Sequence, residues 1–176
     1  YGMNELKADL LQCYIKAGQK DIGTMFLMTD AQVAEEKFLV LINDLLSSGE
    51  IPGLFGADEK DEVIDAVRGE VKASGEEDTN QNCWKFFIQR VRENLKVVLC
   101  FSPVGDTLRA RARMFPAVVN CTSIDWFHDW PYDALVSVSG QFLEDNELIP
   151  AELKPGIAQF MASVHMSVND MSKVYF

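Results

Sequence analysis

Apolar positions along the chain alternate between two periods. Leu6, Leu10, Leu11 and Tyr14 recur with a helical spacing that predicts a helix over 5–16, stopping at Gly18. Ile22 to Met28 is a short apolar run with β-branched and aromatic members, the signature of a buried strand. Phe38, Leu41, Ile42, Leu45 and Leu46 form one stripe of a helix from about Glu35 to Ser48, which Gly49 ends before a Pro52-Gly53 turn. Val63, Ile64, Val67 and Val71 mark the inner face of an acidic helix over 58–73, and Gly75 to Asn82 is a polar loop. Trp84, Phe87, Ile88, Val91 and Leu95 share the face of a further helix. Lys96 to Phe101 is the second buried strand, closed by Ser102-Pro103. An arginine-rich loop then leads to a third short strand, Phe115 to Val119. Helices follow from Pro131 to Asn146 and over 152–174, the last with Ile157, Phe160, Met161, Val164, Val168 and Met171 on one stripe. Short apolar strands between amphipathic helices predict an α/β fold with a mainly parallel sheet covered by helices on both faces.

Charge narrows the function. Sixteen Lys and Arg against 27 Asp and Glu leave a net −11, which argues against nucleic acid or an anionic membrane as a direct partner. No apolar run approaches the ~20 residues that span a bilayer, and no basic-then-apolar leader is visible. Cys13, Cys83, Cys100 and Cys121 are scattered without a CxxC pair, so reduced thiols in an intracellular setting are expected. Tyr1 in first place suggests a piece of something longer.

In a parallel sheet, ligands gather at the carboxyl ends of strands. The first strand ends in Thr29-Asp30 and the second in Ser102. An acid in that position can hold Mg²⁺ or orient water in a nucleotide hydrolase, and a polar residue on the neighbouring strand can sense a phosphate. The structural alternative is that Asp30 caps the following helix or turn. No G-x-x-x-x-G-K-[ST] loop is present, so the chain has no primary phosphate cradle of its own. Arg109, Arg111 and Arg113 are the one dense basic cluster; in an extended segment they would share a face and could meet a phosphate or carboxylate, including one on a neighbouring module. The alternatives are a solvated loop or an intramolecular ion pair. His128 beside Asp129, within Trp126 to Trp130, reads as an aromatic strand-to-helix corner, since only His165 could join it and no zinc spacing exists. No G-x-S-x-G elbow is present.

Four runs carry a resemblance: FLMTDAQV from Phe26, EEKFLVLINDLLSSGEIPGLF from Glu35, NCWKFFIQRVRENLKVVLCFSPVG from Asn82, and FPAVVNCTSIDWFHDWP from Phe115. In this order and spacing the chain resembles dynein heavy chains, at the fourth AAA+ module of the motor ring, in the axonemal, outer-arm-like branch. The resemblance implies an AAA+ three-layer sandwich, with residues 1–146 as an incomplete large subdomain lacking its phosphate loop. Residues 147–176 would be helical and lead toward the coiled-coil stalk. It implies a part of an ATP-driven, minus-end-directed microtubule motor of the ciliary or flagellar axoneme, within the cytoplasmic cytoskeleton. ATP or ADP with Mg²⁺ would serve the parent motor, with no cofactor expected for the fragment alone. Partners would be the neighbouring AAA+ modules, with intermediate chains, light chains and microtubules met through other regions; no nucleic acid and no membrane are expected.

Carried over by position, Thr29 and Asp30 stand where the family's paired strand-end acids stand. Thr29 replaces the Mg²⁺-supporting Asp, and Asp30 replaces the catalytic Glu, one methylene shorter. Ser102 takes the sensor position. Asn120-Cys121 falls where an arginine reaching into the next module is usual, a task Cys121 cannot perform and Arg111 or Arg113 would have to assume. These departures predict a module that transmits conformational change with little or no hydrolysis. Alternatives are a free-standing nonenzymatic α/β interaction domain or a small nucleotide hydrolase using Asp30.

Overall fold

The computed structural model describes residues 1–175. Phe176, the end of the segment expected over 147–176, lies outside the described residues. Packing divides the chain into two compact units, Tyr1–Ile124 and a second that starts at Asp125.

The first unit opens with α1 (Met3–Tyr14), whose Leu6, Leu10 and Tyr14 are buried and whose end widens into a π-helical turn, Ile15–Gln19. β1 (Thr24–Thr29) runs into a 3-10 turn, Asp30–Gln32. α2 (Phe38–Ser48) buries Phe38, Leu39, Leu41, Ile42 and Leu45. It stops at Gly49, whose φ of 78° would strain any residue with a Cβ. In α3 (Ala57–Ala73) the four valine and isoleucine positions of the predicted stripe are all buried, and Glu59 reaches back to accept the Gly56 N–H at 2.8 Å. α4 (Asn80–Asn94) starts on Thr79, whose hydroxyl accepts the Asn82 N–H at 3.2 Å, and passes into β2 (Leu95–Cys100) without a loop.

β1 and β2 pair in parallel from Thr24↔Leu95 to Thr29↔Cys100. Alternation sends Phe26, Met28, Leu95, Val97 and Leu99 toward the helices. Met25, Leu27 and Val98 point the other way and are exposed. Helix cover on both faces is therefore corrected: among the described residues, one face of this two-stranded sheet is covered.

Two further expectations are corrected between residues 107 and 120. The arginine-rich stretch is a helix, α5 (Thr107–Met114), not a loop. Its Leu, Ala, Arg and Met residues are good helix formers. The stretch expected as a third strand, Phe115 to Val119, instead turns into a short helix, α6 (Ala117–Asn120). Pro116 has no N–H for a ladder, and Ala117 donates its N–H to the Asn43 side chain of α2 at 3.1 Å, burying Phe115, Ala117 and Val118.

In the second unit, α7 (Tyr132–Glu144) follows Pro131 and packs on α8 (Lys154–Tyr175), burying Leu143, Ala158 and Ala162. The apolar stripe expected on this last helix is largely exposed at Phe160, Met161, Val164, Val168 and Met171. The small alanines make the contact, because they let two helix backbones approach closely. Residues 123–131 are irregular, and His128 and His165 line a shallow cleft with Asp129 and Trp130.

Candidate functional site at the strand ends

Parallel pairing brings the carboxyl ends of β1 and β2 side by side, with Thr29 opposite Cys100. Asp30 leaves β1 as Ser102 leaves the end of β2. One carboxylate oxygen of Asp30 accepts the Ser102 N–H at 2.7 Å. The other is ion-paired with Nη1 of Arg111. Arg111 is 6% exposed. It is also gripped by Glu36, which accepts from Nε at 3.1 Å and from Nη2 at 2.9 Å. The Phe101 ring lies against it, 5.0 Å from centroid to Cζ. Arg111 thus spans two carboxylates from segments 75 and 81 residues away in sequence.

Helical phase explains why this arginine and not its neighbours is used. Residues two apart on a helix point in different directions. Arg109 and Arg113, four apart, stay on the exposed side of α5, and Arg109 lies 4.0 Å from Asp106 between exposed side chains. The three arginines do not share a face. Thr29 is occupied locally: its N–H donates to Gln32 Oε1 at 2.8 Å and its hydroxyl lies 3.2 Å from the same oxygen, opening the 3-10 turn. Asn120 and Cys121 are exposed at the end of α6.

The Ser102 N–H, and after it the Arg111 side chain, hold the Asp30 carboxyl below its ordinary value. Glu36 chiefly, then Asp30, raises the Arg111 guanidinium further. A carboxyl depressed in the folded state stabilises the fold above its unfolded value of about 3.8, and that contribution disappears as pH falls through the depressed value. The Asp30→Asn variant is therefore expected to melt lower than wild type near neutral pH, with the gap closing below pH ~4. Thermal melts at pH 7 and pH 3 check this; a gap that persists unchanged at pH 3 contradicts it.

Of the residues singled out in the sequence, Thr29, Asp30, Ser102 and Arg111 meet at this site, and Arg109 and Arg113 do not. Glu36, Gln32 and Phe101 complete it without having been singled out. Only the Thr29-x-x-Gln32 capping pattern advertised one of them. The donors present do not fit a hydrolytic Mg²⁺: both Asp30 oxygens are engaged, the Thr29 hydroxyl faces Gln32, and a guanidinium already neutralises the acids.

Comparison with known proteins places these observations in a family. The family described as P-loop containing dynein motor region D4 matches residues 1–176. The chain is 65% identical over 175 residues to a ciliary dynein beta chain of Tripneustes gratilla. It is 63% identical over 175 residues to dynein axonemal heavy chain 17 of Homo sapiens. It is 53% identical over 173 residues to the flagellar outer arm dynein beta chain of Chlamydomonas reinhardtii. Each match takes in 98 or 99% of this chain and spans 4% of the relative's length.

Proposed function

This chain belongs to the P-loop containing dynein motor region D4 family, within the axonemal and ciliary dynein heavy chains, and from that premise we propose that it is a ring module that transmits conformational change without useful hydrolysis of its own. The parent would be an ATP-driven microtubule motor of the cilium or flagellum. Residues 1–146 would form part of an AAA+ large subdomain, and 147–176 would lead toward the stalk. Other parts of the module would supply the layer over Met25, Leu27 and Val98. Neighbouring modules would be its direct partners; microtubules and the smaller dynein chains would be met elsewhere in the parent.

The observation that carries this reading is the double engagement of Asp30, by the Ser102 N–H and by Arg111. A general base needs a free oxygen within reach of a water, and both oxygens here face protein donors. The acid is also a methylene shorter than a Glu, and displacements of ~1 Å can cost ~10²-fold in rate. What the clasp does instead is mechanical. It ties the ends of β1 and β2 to α5, so the strand ends and that helix move as one body. A shift at the module boundary then passes on as a tilt rather than being absorbed.

The test is the intact motor carrying Asp30→Ala. Basal ATPase within about twofold of wild type is expected, because a working general base contributes ~10²–10⁴-fold. A collapse of turnover would overturn the reading.

A further inference from the structure

A groove of about 550 Å³ runs along the outer side of α4, away from the Asp30 site. Its apolar lining is Trp84 and Ile88, and its cations are Lys85, Arg92 and Lys96. Lys85, Gln89 and Arg92 follow at i, i+4 and i+7, one helical face, and Lys96 stands just beyond the helix.

The two carboxylates in the groove each accept from a neutral donor and keep their charge, so its lining carries three cations against two acids. Glu50 accepts the Trp84 indole N–H at 3.1 Å, and Glu93 accepts from Gln89 Nε2 at 3.1 Å. Among the described residues, no carboxylate lies within 4.0 Å of the Lys85, Arg92 or Lys96 nitrogens. A chain of net −11 thus leaves three unpaired cations along one groove.

The groove is also held in shape. The Arg92 stem lies on the bare backbone of Gly49, where a Cβ would come within 2.6 Å of its Cγ. Trp84 is fixed from three sides: by Glu50, by Lys60 at 4.2 Å over its ring, and by stacking on Phe87 at 5.4 Å. Binding to groups already in position avoids the cost of ordering them.

Charge complementarity selects an acidic occupant carrying one apolar side chain for the Trp84–Ile88 floor. A free acidic partner would first meet the repulsion of the chain as a whole. A segment of the same polypeptide arrives by its tether, at an effective concentration that reaches about millimolar. The chain spans 4% of the length of its relatives, so most of such a polypeptide lies outside these residues. We propose that this groove docks an acidic segment of the same heavy chain from outside residues 1–176, a proposal that rests on the heavy-chain reading above.

A zero-length carbodiimide applied to the purified intact motor is the probe, since it joins a lysine amine only to a carboxylate in ion-pair contact. Peptide sequencing is expected to find Lys85 or Lys96 linked to Asp or Glu outside residues 1–176 of the same chain. The yield should fall about tenfold in the Arg92→Glu variant, which keeps both lysines but reverses a flanking charge. Links only to Glu50 or Glu93, links to a separate polypeptide, no link, or a yield unmoved by Arg92→Glu would each overturn the proposal. Those outcomes leave the heavy-chain reading intact; a native polypeptide no longer than this chain would sink both.

Discussion

Replacing Phe87 by alanine is expected to lower the unfolding free energy by about 3–5 kcal/mol, the range for truncating a fully buried aromatic ring. Phe87 is 0% exposed and meets three other rings. Trp84 stacks on it at 5.4 Å, Phe55 meets it edge-on at 5.8 Å, and Tyr14 lies at 6.5 Å. These rings come from α1, the segment after α2, and α4, so one truncation loosens three elements together. Collapse cannot heal the cavity, because Tyr14 is pinned by its hydroxyl, which donates to the Gly49 carbonyl at 2.9 Å. The shift in urea midpoint, followed by far-ultraviolet circular dichroism, measures the effect. A loss under about 1 kcal/mol would mean the ring is not part of a tight core.

Adding bulk opposite the same ring should be nearly as damaging. Gly18 sits in the π-helical turn after α1, where a Cβ would fall 2.3 and 2.6 Å from Phe87 ring carbons and 2.6 Å from a Val91 methyl. The backbone there cannot retreat freely, since the Gly18 carbonyl and its neighbour at Ala17 accept from Arg90 and Asn94 at 3.4 and 3.0 Å. Overpacking typically costs 1–3 kcal/mol, and Gly18→Val, with two carbons beyond the Cβ, is expected at or above about 3. Residues in contact couple, so adding Phe87→Leu to Gly18→Val should cost less than the sum of the two separate losses. Strict additivity in the double-mutant cycle would show that the two sites do not share this space.

The elements readable from sequence were those whose period and whose burial agree. α2 and α3 carry apolar stripes that are buried almost position for position, α4 buries Phe87 and Val91 of its stripe and leaves Trp84 and Ile88 half-buried, and β1 and β2 are apolar runs flanked by breakers. The stretch from 107 to 120 hides its helices for a physical reason: the buried residue of α5 is a charge. Arg111 occupies the inward position that a leucine would have advertised, so no apolar stripe exists to find. Phe115, Ala117, Val118 and Val119 around Pro116 then imitate a strand, and the missing Pro116 N–H together with the contact to Asn43 decides for a helix. The site was legible where strand ends alone define it, at Asp30 and Ser102. The choice of Arg111 among three arginines depends on helical phase and could be made only once the helix was known. Glu36 carries no local mark at all: it matters because folding sets it beside a residue 75 positions away.

The parallel pairing has a temporal consequence. Thr24 aligns with Leu95, so 95 − 24 = 71 residues separate partners in the ladder. A ribosome adding about 5–20 residues per second emits the first strand roughly 4–14 s before its mate. During that interval α1 and then the helices of the crossover can form from nearby contacts, but the strand waits with its apolar side chains unsheltered. Closing so long a loop is slow compared with winding a helix. The Asp30–Ser102 tie therefore cannot close until 72 further residues have been added after Asp30, and a pause in synthesis before Leu95 would prolong the exposure of an unmated strand.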